Sequence, residues 1–298
     1  DLFTGRALSN IDLILKRIQT HSGTIRRALL LTLTASVGQM SNMVFAITGR
    51  GKKNGGTNGK IEVGSWVIGY WRPGLHFEIN VWNCFQRRAR KLEKALSDLG
   101  GAGSFDPAVR PEPVIERKGR VALVNGDAVK VMSTLPDHCC QLVLTDPPHS
   151  DRIPYLELSE LWNSILDLEP DFESEIVVSN ARERSKTKRD YSDKMTMVFS
   201  EAARILKQDG LLAVLFNARD QQSWESLEEL QHSETLCFAG CFPMSYSAGS
   251  VVQDNRRGAM RSDYVLLYVK AHTTDSWVAQ AKGFTELNGW SLDLPERE

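Results

Sequence analysis

The alternation of short apolar runs with helix-length segments in the second part of this 298-residue chain constrains its fold most strongly. Apolar runs at Val121–Val124, Gln141–Leu144 and Leu211–Phe216 each end in polar residues, and segments with helical periodicity separate them. Strands that alternate with helices predict an α/β fold with a mostly parallel, doubly wound sheet. Two last apolar runs, near 237–244 and 264–269, have no helix between them and predict an antiparallel edge hairpin.

The first part of the chain follows a different pattern. Apolar residues recur there at helical spacing, and a basic glycine-rich loop at 49–60 interrupts the helical runs. The glycine- and proline-rich stretch at 100–113 is the best linker candidate. We therefore predict a mainly helical region over 1–113 and a sheet domain over 114–298.

Composition and charge restrict the class of protein. The net charge of −1 means that any binding to nucleic acid depends on local basic patches. The five cysteines form no zinc-type spacing with the histidines, so we predict free thiols, a reducing cytoplasmic compartment and no metal site. The apolar stretch 28–46 contains polar residues, and we expect a buried helix there rather than a membrane span. Because the first residue is Asp1, we expect further sequence upstream.

The motif Asp146-Pro147-Pro148-His149 follows the run that ends at Leu144. Proline fixes the backbone and has no amide hydrogen, so the Asp146 carboxylate and the Pro147 carbonyl can both face a ligand without a competing donor. Two such acceptors can hold the hydrogens of an exocyclic amino group, whose nitrogen is otherwise a poor nucleophile. A flat fourth residue, here His149, can stack on a base that has left the duplex. The alternative is that this motif is only a strand-to-loop turn.

Three segments around the motif resemble the amino-methyltransferases of bacterial restriction-modification systems. They are Val124-Asn-Gly-Asp-Ala128, Thr134-Leu-Pro-Asp137 and Leu142-Val-Leu-Thr-Asp-Pro-Pro148. The segment 151–162 resembles the long adenine-specific subgroup, and the segment 204–210 also matches the family. The resemblance covers about 121–270, and more weakly the first helix. It implies a Rossmann-like methyltransferase sheet over 114–298, with 1–113 as an insertion or a target-recognition part.

The resemblance also implies S-adenosylmethionine as the cofactor. The family residue that matches Asp127 contacts the adenine or ribose end of that cofactor. Polar residues at the ends of parallel strands share one edge of a sheet, where ligands bind. We therefore assign cofactor contacts to these residues: Asn125, Asp127, Ala128 and Asn217.

Two features depart from the family pattern. His149 stands where the family has an aromatic residue. In addition, no glycine-rich loop follows a hydrophobic strand anywhere in the chain, although such a loop holds the methionine end of the cofactor in this family. We expect an upstream segment or a partner subunit to complete the cofactor site.

Cationic segments identify candidate contacts with the phosphates of DNA. The candidates are Lys52, Lys53, Arg182, Arg184, Lys186, Lys188, Arg256 and Arg257. A further basic stripe at Arg87, Arg88, Arg90 and Lys91 is interpreted as a solvated helix face because Glu93 is nearby.

The sequence therefore favours methyl transfer from S-adenosylmethionine to an amino group of a base in DNA, with adenine preferred. RNA or cytosine in DNA would need the same Asp-Pro-Pro chemistry and stays open. A third hypothesis is a non-catalytic nucleic-acid-binding subunit that retains the fold and serves a catalytic partner.

Overall fold

A computed structural model describes residues 1–47, 61–66, 69–99, 107–151, 153–217, 221–231, 235–244, 263–270, 275–287, 289, 291 and 293. Its helices are α1 (Gly5–Gln19), α2 (Gly23–Val37), α3 (Val81–Asp98), α4 (Glu112–Ile115), α5 (Ala128–Ser133), α6 (Tyr155–Leu166), α7 (Lys188–Ile205), α8 (Gln221–Gln231) and α9 (Asp275–Leu287). Its strands are β1 (Ala46–Ile47), β2 (Glu62–Val63), β3 (Cys140–Thr145), β4 (Leu206–Phe216), β5 (Leu236–Pro243) and β6 (Tyr264–Lys270).

The chain divides into two compact units. The first comprises Asp1–Phe105 and Tyr155–Asp171, and the second comprises Asp106–Pro154 and Phe172–Glu298. The segment with α6 thus belongs to the first unit, although the sequence analysis placed it within 114–298. The physical reason is that Leu161, Trp162 and Ile165 pack against the core of that unit.

The first unit is mainly helical. Helix α1 begins where the Thr4 side chain accepts a hydrogen bond from the Ala7 amide, and α3 begins where Asn80 accepts one from Asn83. Helices α1, α2 and α3 enclose a core that includes Leu33. The short strands β1 and β2 pair antiparallel beside them. None of the described helices is both long and apolar enough to cross a membrane.

The second unit contains a four-stranded mixed sheet with strand order β3-β4-β6-β5. Strands β3 and β4 are parallel, whereas β6 pairs antiparallel with both β4 and β5. The positions of β3 to β6 and the antiparallel pairing of the last two strands match the sequence prediction. Three of the four described strands, β3, β4 and β5, run in the same direction, and β6 runs opposite to them between β4 and β5. The sheet is thus mixed, with its antiparallel strand inside the sheet rather than at the edge.

The run Val121–Val124 does not form a strand of this sheet in the described part of the chain. It makes only an isolated bridge, between Ala122 and Ala108. Leu123 is 67% exposed, so the run lacks the covering layers that bury a central strand. Strand β3 also has exposed side chains on one face, with Leu142 at 54% and Leu144 at 64% exposure.

Helices α7 and α8 cover the other face of the sheet. Their buried side chains, including Phe199 and Trp224, pack against Leu212, Val214 and Phe216 of β4. This core fixes β4, and the parallel pairing fixes β3 beside it. The carboxyl ends of these two strands are therefore held at one edge, where the Asp-Pro-Pro-His motif begins.

Candidate active site

The motif residues begin directly after β3. Thr145 is in register with Val214 of β4, so the loop from Asp146 runs alongside the last residues of β4. Asn217, the first residue after β4, lies at the same edge of the sheet. The structure thus brings Asp146 and Asn217 to neighbouring strand ends, as the strand pattern predicts.

Hydrogen bonds to buried groups hold the loop after Asp146 in place. The hydroxyl of Tyr191 donates to the Pro148 carbonyl over 2.6 Å, and the Val178 amide donates to the Ser150 carbonyl over 3.2 Å. Ser150 is itself buried and has a φ of 57°, in the left-handed region that non-glycine residues adopt at a cost. The surrounding contacts therefore impose a backbone conformation that the loop would not prefer alone.

Tyr191 is correctly placed because α7 begins at a defined point. Thr187 and Asp190 form a capping box in which each side chain accepts a hydrogen bond from the backbone of the other. The hydrogen bonds from Thr187 hold the pKa of Asp190 below its usual range. Tyr191, only 1% exposed, follows in the first turn.

His149 contacts Asp146 instead of presenting an open face. Its Nε2 lies 3.2 Å from Asp146 Oδ1 and 3.4 Å from the carbonyl oxygen of Leu215. Its ring packs edge-on against Phe216, with centroids 5.3 Å apart, and only 11% of the side chain is exposed. Stacking of a base on His149, as the sequence analysis expects, would require the ring to leave this position.

The carboxylate of Asp146 is accessible to a ligand. Its side chain is 69% exposed, although His149 holds one of its oxygens. A carboxylate with one fixed and one open oxygen can accept a hydrogen bond from an incoming donor. The site therefore presents an oriented acceptor beside a proline backbone that offers no competing amide hydrogen.

Two of the residues assigned to the cofactor, Asp127 and Asn217, have other hydrogen-bond partners in the described structure. Asp127 caps α5, where its Oδ1 accepts a hydrogen bond from the Lys130 amide over 3.1 Å. Asn125 and Ala128 are exposed and lie beside a run that is outside the sheet. The buried amide of Asn217 donates to Asp263 over 2.7 Å.

These residues do not make a complete site for S-adenosylmethionine. No glycine-rich sequence follows β3, β4, β5 or β6, whereas β1 is followed at 49–56 by a glycine-rich segment that lies outside the described residues and that the sequence analysis did not place after a strand. A glycine-rich turn is what allows backbone amides to approach the carboxylate of such a cofactor closely.

The predicted phosphate contacts differ in their exposure and in their partners in the structure. Lys186 is wrong as a phosphate contact, because it is 8% exposed and its ammonium group donates to the carbonyls of Glu173 and Glu175. The guanidinium of Arg184 stacks on the ring of Phe172. Arg182 is exposed and Lys188 is half-buried. The other candidates, Lys52, Lys53, Arg256 and Arg257, lie outside the described residues.

Tyr191 is the site residue that sequence reasoning missed. Tyr191 lies at a core position of α7, where buried aromatic residues are common. Its hydroxyl donates to a backbone carbonyl, and such a partner cannot be recognised from the side chains in the sequence. Among the side chains that the structure describes, no group of three or more His, Cys, Asp and Glu residues is arranged to hold a metal ion.

Comparison with solved structures gives a match to the PvuII DNA methyltransferase, which is described as cytosine-N4-specific. The alignment covers 50% of this chain and 48% of that protein, with 14% sequence identity and a TM-score of 0.31. This chain therefore corresponds to about half the length of that protein. No family model matches the chain, and a search of curated protein sequences finds no match.

Proposed function

We propose that this chain takes part in methyl transfer from S-adenosylmethionine to the exocyclic amino group of a base in DNA, with adenine preferred. The observation that carries the proposal is the Asp146 carboxylate, which is 69% exposed yet held by His149 directly after strand β3. An exposed carboxylate on a surface loop would ordinarily be mobile. This one is oriented before any substrate arrives.

The chemistry follows from the two acceptors in the motif. The lone pair of an exocyclic amino group is delocalised into the base, so the nitrogen attacks only when its geometry changes. Asp146 accepts one amino hydrogen and the Pro147 carbonyl accepts the other, which favours a tetrahedral nitrogen with an available lone pair. Because the loop is fixed before binding, little reorganisation is required when charge develops on the nitrogen.

His149 positions Asp146 in this proposal. Both groups near its Nε2 are acceptors, so Nε2 carries a hydrogen that can be donated to the carboxylate. Tyr191 has the corresponding role for the backbone, since its hydroxyl fixes the Pro148 carbonyl. The base itself must leave the duplex to reach an acceptor at the end of a strand.

The test is methyl incorporation by Asp146→Ala and by a matched control, Asp209→Asn. Asp209 is an exposed carboxylate of β4 at the other end of the strand. With tritiated S-adenosylmethionine and the polypeptide that completes the cofactor site, we expect Asp146→Ala to lose about 10²–10³ in rate. The control should retain the wild-type rate, and equal rates for all three proteins would contradict the proposal.

A non-catalytic nucleic-acid-binding subunit is the second candidate, favoured because no glycine-rich sequence follows strands β3 to β6. Fluorescence of DNA that carries 2-aminopurine at the target base separates the two functions, because this base brightens when it leaves the stack. A catalytic site that extrudes its base should raise the fluorescence, and Asp146→Ala should change that signal. Binding with no change in fluorescence would favour the non-catalytic subunit. Duplexes of RNA, or of DNA with cytosine as the target, test the alternative substrates in the methyl-incorporation assay.

A further inference from the structure

A basic cleft of about 300 Å³ lies in the first unit, between α3 and the end of α2. One wall is formed by four side chains of α3, and the opposite wall is formed by polar residues. The lining residues are Cys84, Arg87, Arg88 and Lys91 on α3, with Ser36, Gln39 and Ser65 opposite. We refer to this concavity as the α3 cleft.

The cations of the α3 cleft are not neutralised within the described part of the chain. Arg87, Arg88 and Lys91 are exposed, no described ion pair or hydrogen bond involves their side-chain charges, and no carboxylate lines the cleft. Their spacing at i, i+1 and i+4 directs them to one side of the helix. Glu93, whose position suggested a solvated face in the sequence, is not among the lining residues.

Hydrogen bonds hold the residues of the opposite wall of the α3 cleft in place. The Gln39 amide donates to the Gly64 carbonyl over 3.0 Å and accepts from the Trp66 amide over 3.0 Å. Ser36 is buried, and its hydroxyl donates to the backbone of α2. Burial raises the pKa of the Cys84 thiol, and the nearby Arg87 guanidinium partly opposes that rise.

A second cleft in the same unit contains an arginine that is neutralised by a carboxylate. That concavity, of about 220 Å³, contains Arg6 and Glu78. The guanidinium of Arg6 donates to Glu78 over 2.7 Å, and this pairing lowers the pKa of Glu78. Arg6 is therefore neutralised by Glu78, whereas no described carboxylate forms an ion pair with the cations of the α3 cleft.

We propose that the α3 cleft binds successive phosphates of a nucleic-acid backbone. This inference extends the proposed function, because it gives the first unit a direct contact with the DNA. The cations extend over about 6 Å of helix axis between Arg87 and Lys91, so they form a row rather than converge on one point. A row of cations suits the repeated charges of a polynucleotide strand better than a single free phosphate.

The experiment compares two triple variants of the full chain by the salt dependence of DNA binding. Arg87→Gln, Arg88→Gln and Lys91→Gln together remove the cleft cations. Arg17→Gln, Arg90→Gln and Lys94→Gln remove the same charge from exposed positions of the first unit that do not line the cleft. Fluorescence anisotropy of a short labelled DNA duplex is measured between about 50 and 200 mM salt.

We expect the cleft variant to lower the slope of log affinity against log salt by about 2.7, since each phosphate contact contributes about 0.9. The control variant should keep the wild-type slope. If the cleft triple variant does not fold, each single substitution should lower the slope by about 1. Equal slopes for both triple variants would overturn the inference.

A competition experiment with inorganic phosphate distinguishes a polynucleotide backbone from a free phosphate ion as the ligand of the α3 cleft. Excess inorganic phosphate at constant ionic strength should leave DNA binding unchanged, because a single ion does not span the row. Displacement of the DNA by inorganic phosphate in the wild type but not in the cleft variant would overturn the backbone assignment. The proposed reaction is tested separately with Asp146→Ala, which should bind DNA with the wild-type salt slope while it loses methyl transfer. The phosphate contact of the α3 cleft and the methyl transfer at Asp146 can therefore each be contradicted without the other.

Discussion

The imidazole of His149 lies between two acceptors, and this geometry makes the role of the residue testable. If His149 positions Asp146, its Nε2–H is what matters, whereas stacking on a base would depend on its flat ring. A glutamine can place an amide nitrogen near the position of Nε2 without a ring. A phenylalanine retains the ring and its packing against Phe216 without a donor.

We predict that His149→Gln retains more of the wild-type kcat than His149→Phe does, with KM for DNA little changed in both. Loss of one hydrogen bond to a charged group corresponds to about 1.5–3 kcal/mol, or roughly ten- to a hundredfold in kcat for His149→Phe. Thermal unfolding of both variants controls for packing. A His149→Tyr or His149→Phe variant as active as the wild type would instead support the stacking role expected from the sequence.

The segment between Phe172 and α7 is held together by Lys186, although its sequence suggests a phosphate-binding loop. The ammonium group of Lys186 donates to the carbonyls of Glu173 and Glu175, and the ammonium group of Lys194 also donates to the Glu173 carbonyl. We predict that Lys186→Met lowers the free energy of unfolding by about 1–3 kcal/mol, because these part-buried carbonyls lose the Lys186 donor. Arg182→Gln, which alters an exposed side chain, should leave it within about 0.5 kcal/mol. Denaturant unfolding measures both, and a stable Lys186→Met variant would contradict this structural role.

The turn before β3 is joined to the end of α7 by Arg204. Its guanidinium donates to Asp137, to Glu201 and to the carbonyls of Met132 and Leu135. The hydrogen bond from Arg204 is the main reason that the pKa of Asp137 is lowered. A lowered pKa stabilises the fold above the ordinary aspartate range, near pH 3.9, and that stabilisation is lost as the pH falls through the lowered pKa.

We therefore predict that Asp137→Asn lowers Tm at neutral pH and that its Tm converges with the wild-type value in acid. Below the lowered pKa, the wild-type carboxyl is protonated and resembles the amide of the variant. Differential scanning calorimetry across this range provides the measurement, with Asp209→Asn as the control that should follow the wild type. A constant difference in Tm at every pH would show that the pair does not act through its charge.

The elements show where sequence reasoning succeeds and where it stops. Strands β3 and β4 were predictable because apolar runs of strand length are bounded by turn residues, and the Asp-Pro-Pro signature placed the motif at their ends. The run Val121–Val124 has the same local pattern but lacks covering layers, which are a tertiary property. Lys186 differs from its sequence expectation for a similar reason, because whether a cation is neutralised depends on backbone carbonyls that the residue pattern does not reveal.

At the scale of the whole molecule, the proposed cofactor makes two different demands on the fold. The adenosine part of S-adenosylmethionine requires apolar and polar side chains near strand ends. The methionine part carries an amine and a carboxylate that require close backbone approach, for which a glycine-rich turn is suited. In the four-stranded sheet, none of the described strands β3 to β6 is followed by glycine-rich sequence.

We therefore predict that this 298-residue chain alone binds S-adenosylmethionine weakly or not at all. Loss of about half of the contacts should weaken a micromolar site by two or more powers of ten, at about 1.4 kcal/mol for each tenfold change. Isothermal titration of the chain with S-adenosylmethionine measures this directly, without any need for activity. Binding that appears only when a polypeptide carrying a strand and a glycine-rich turn is added would support a site completed by a second segment. A dissociation constant in the low micromolar range for the chain alone would contradict the prediction, because it would mean that the chain itself already holds both ends of the cofactor.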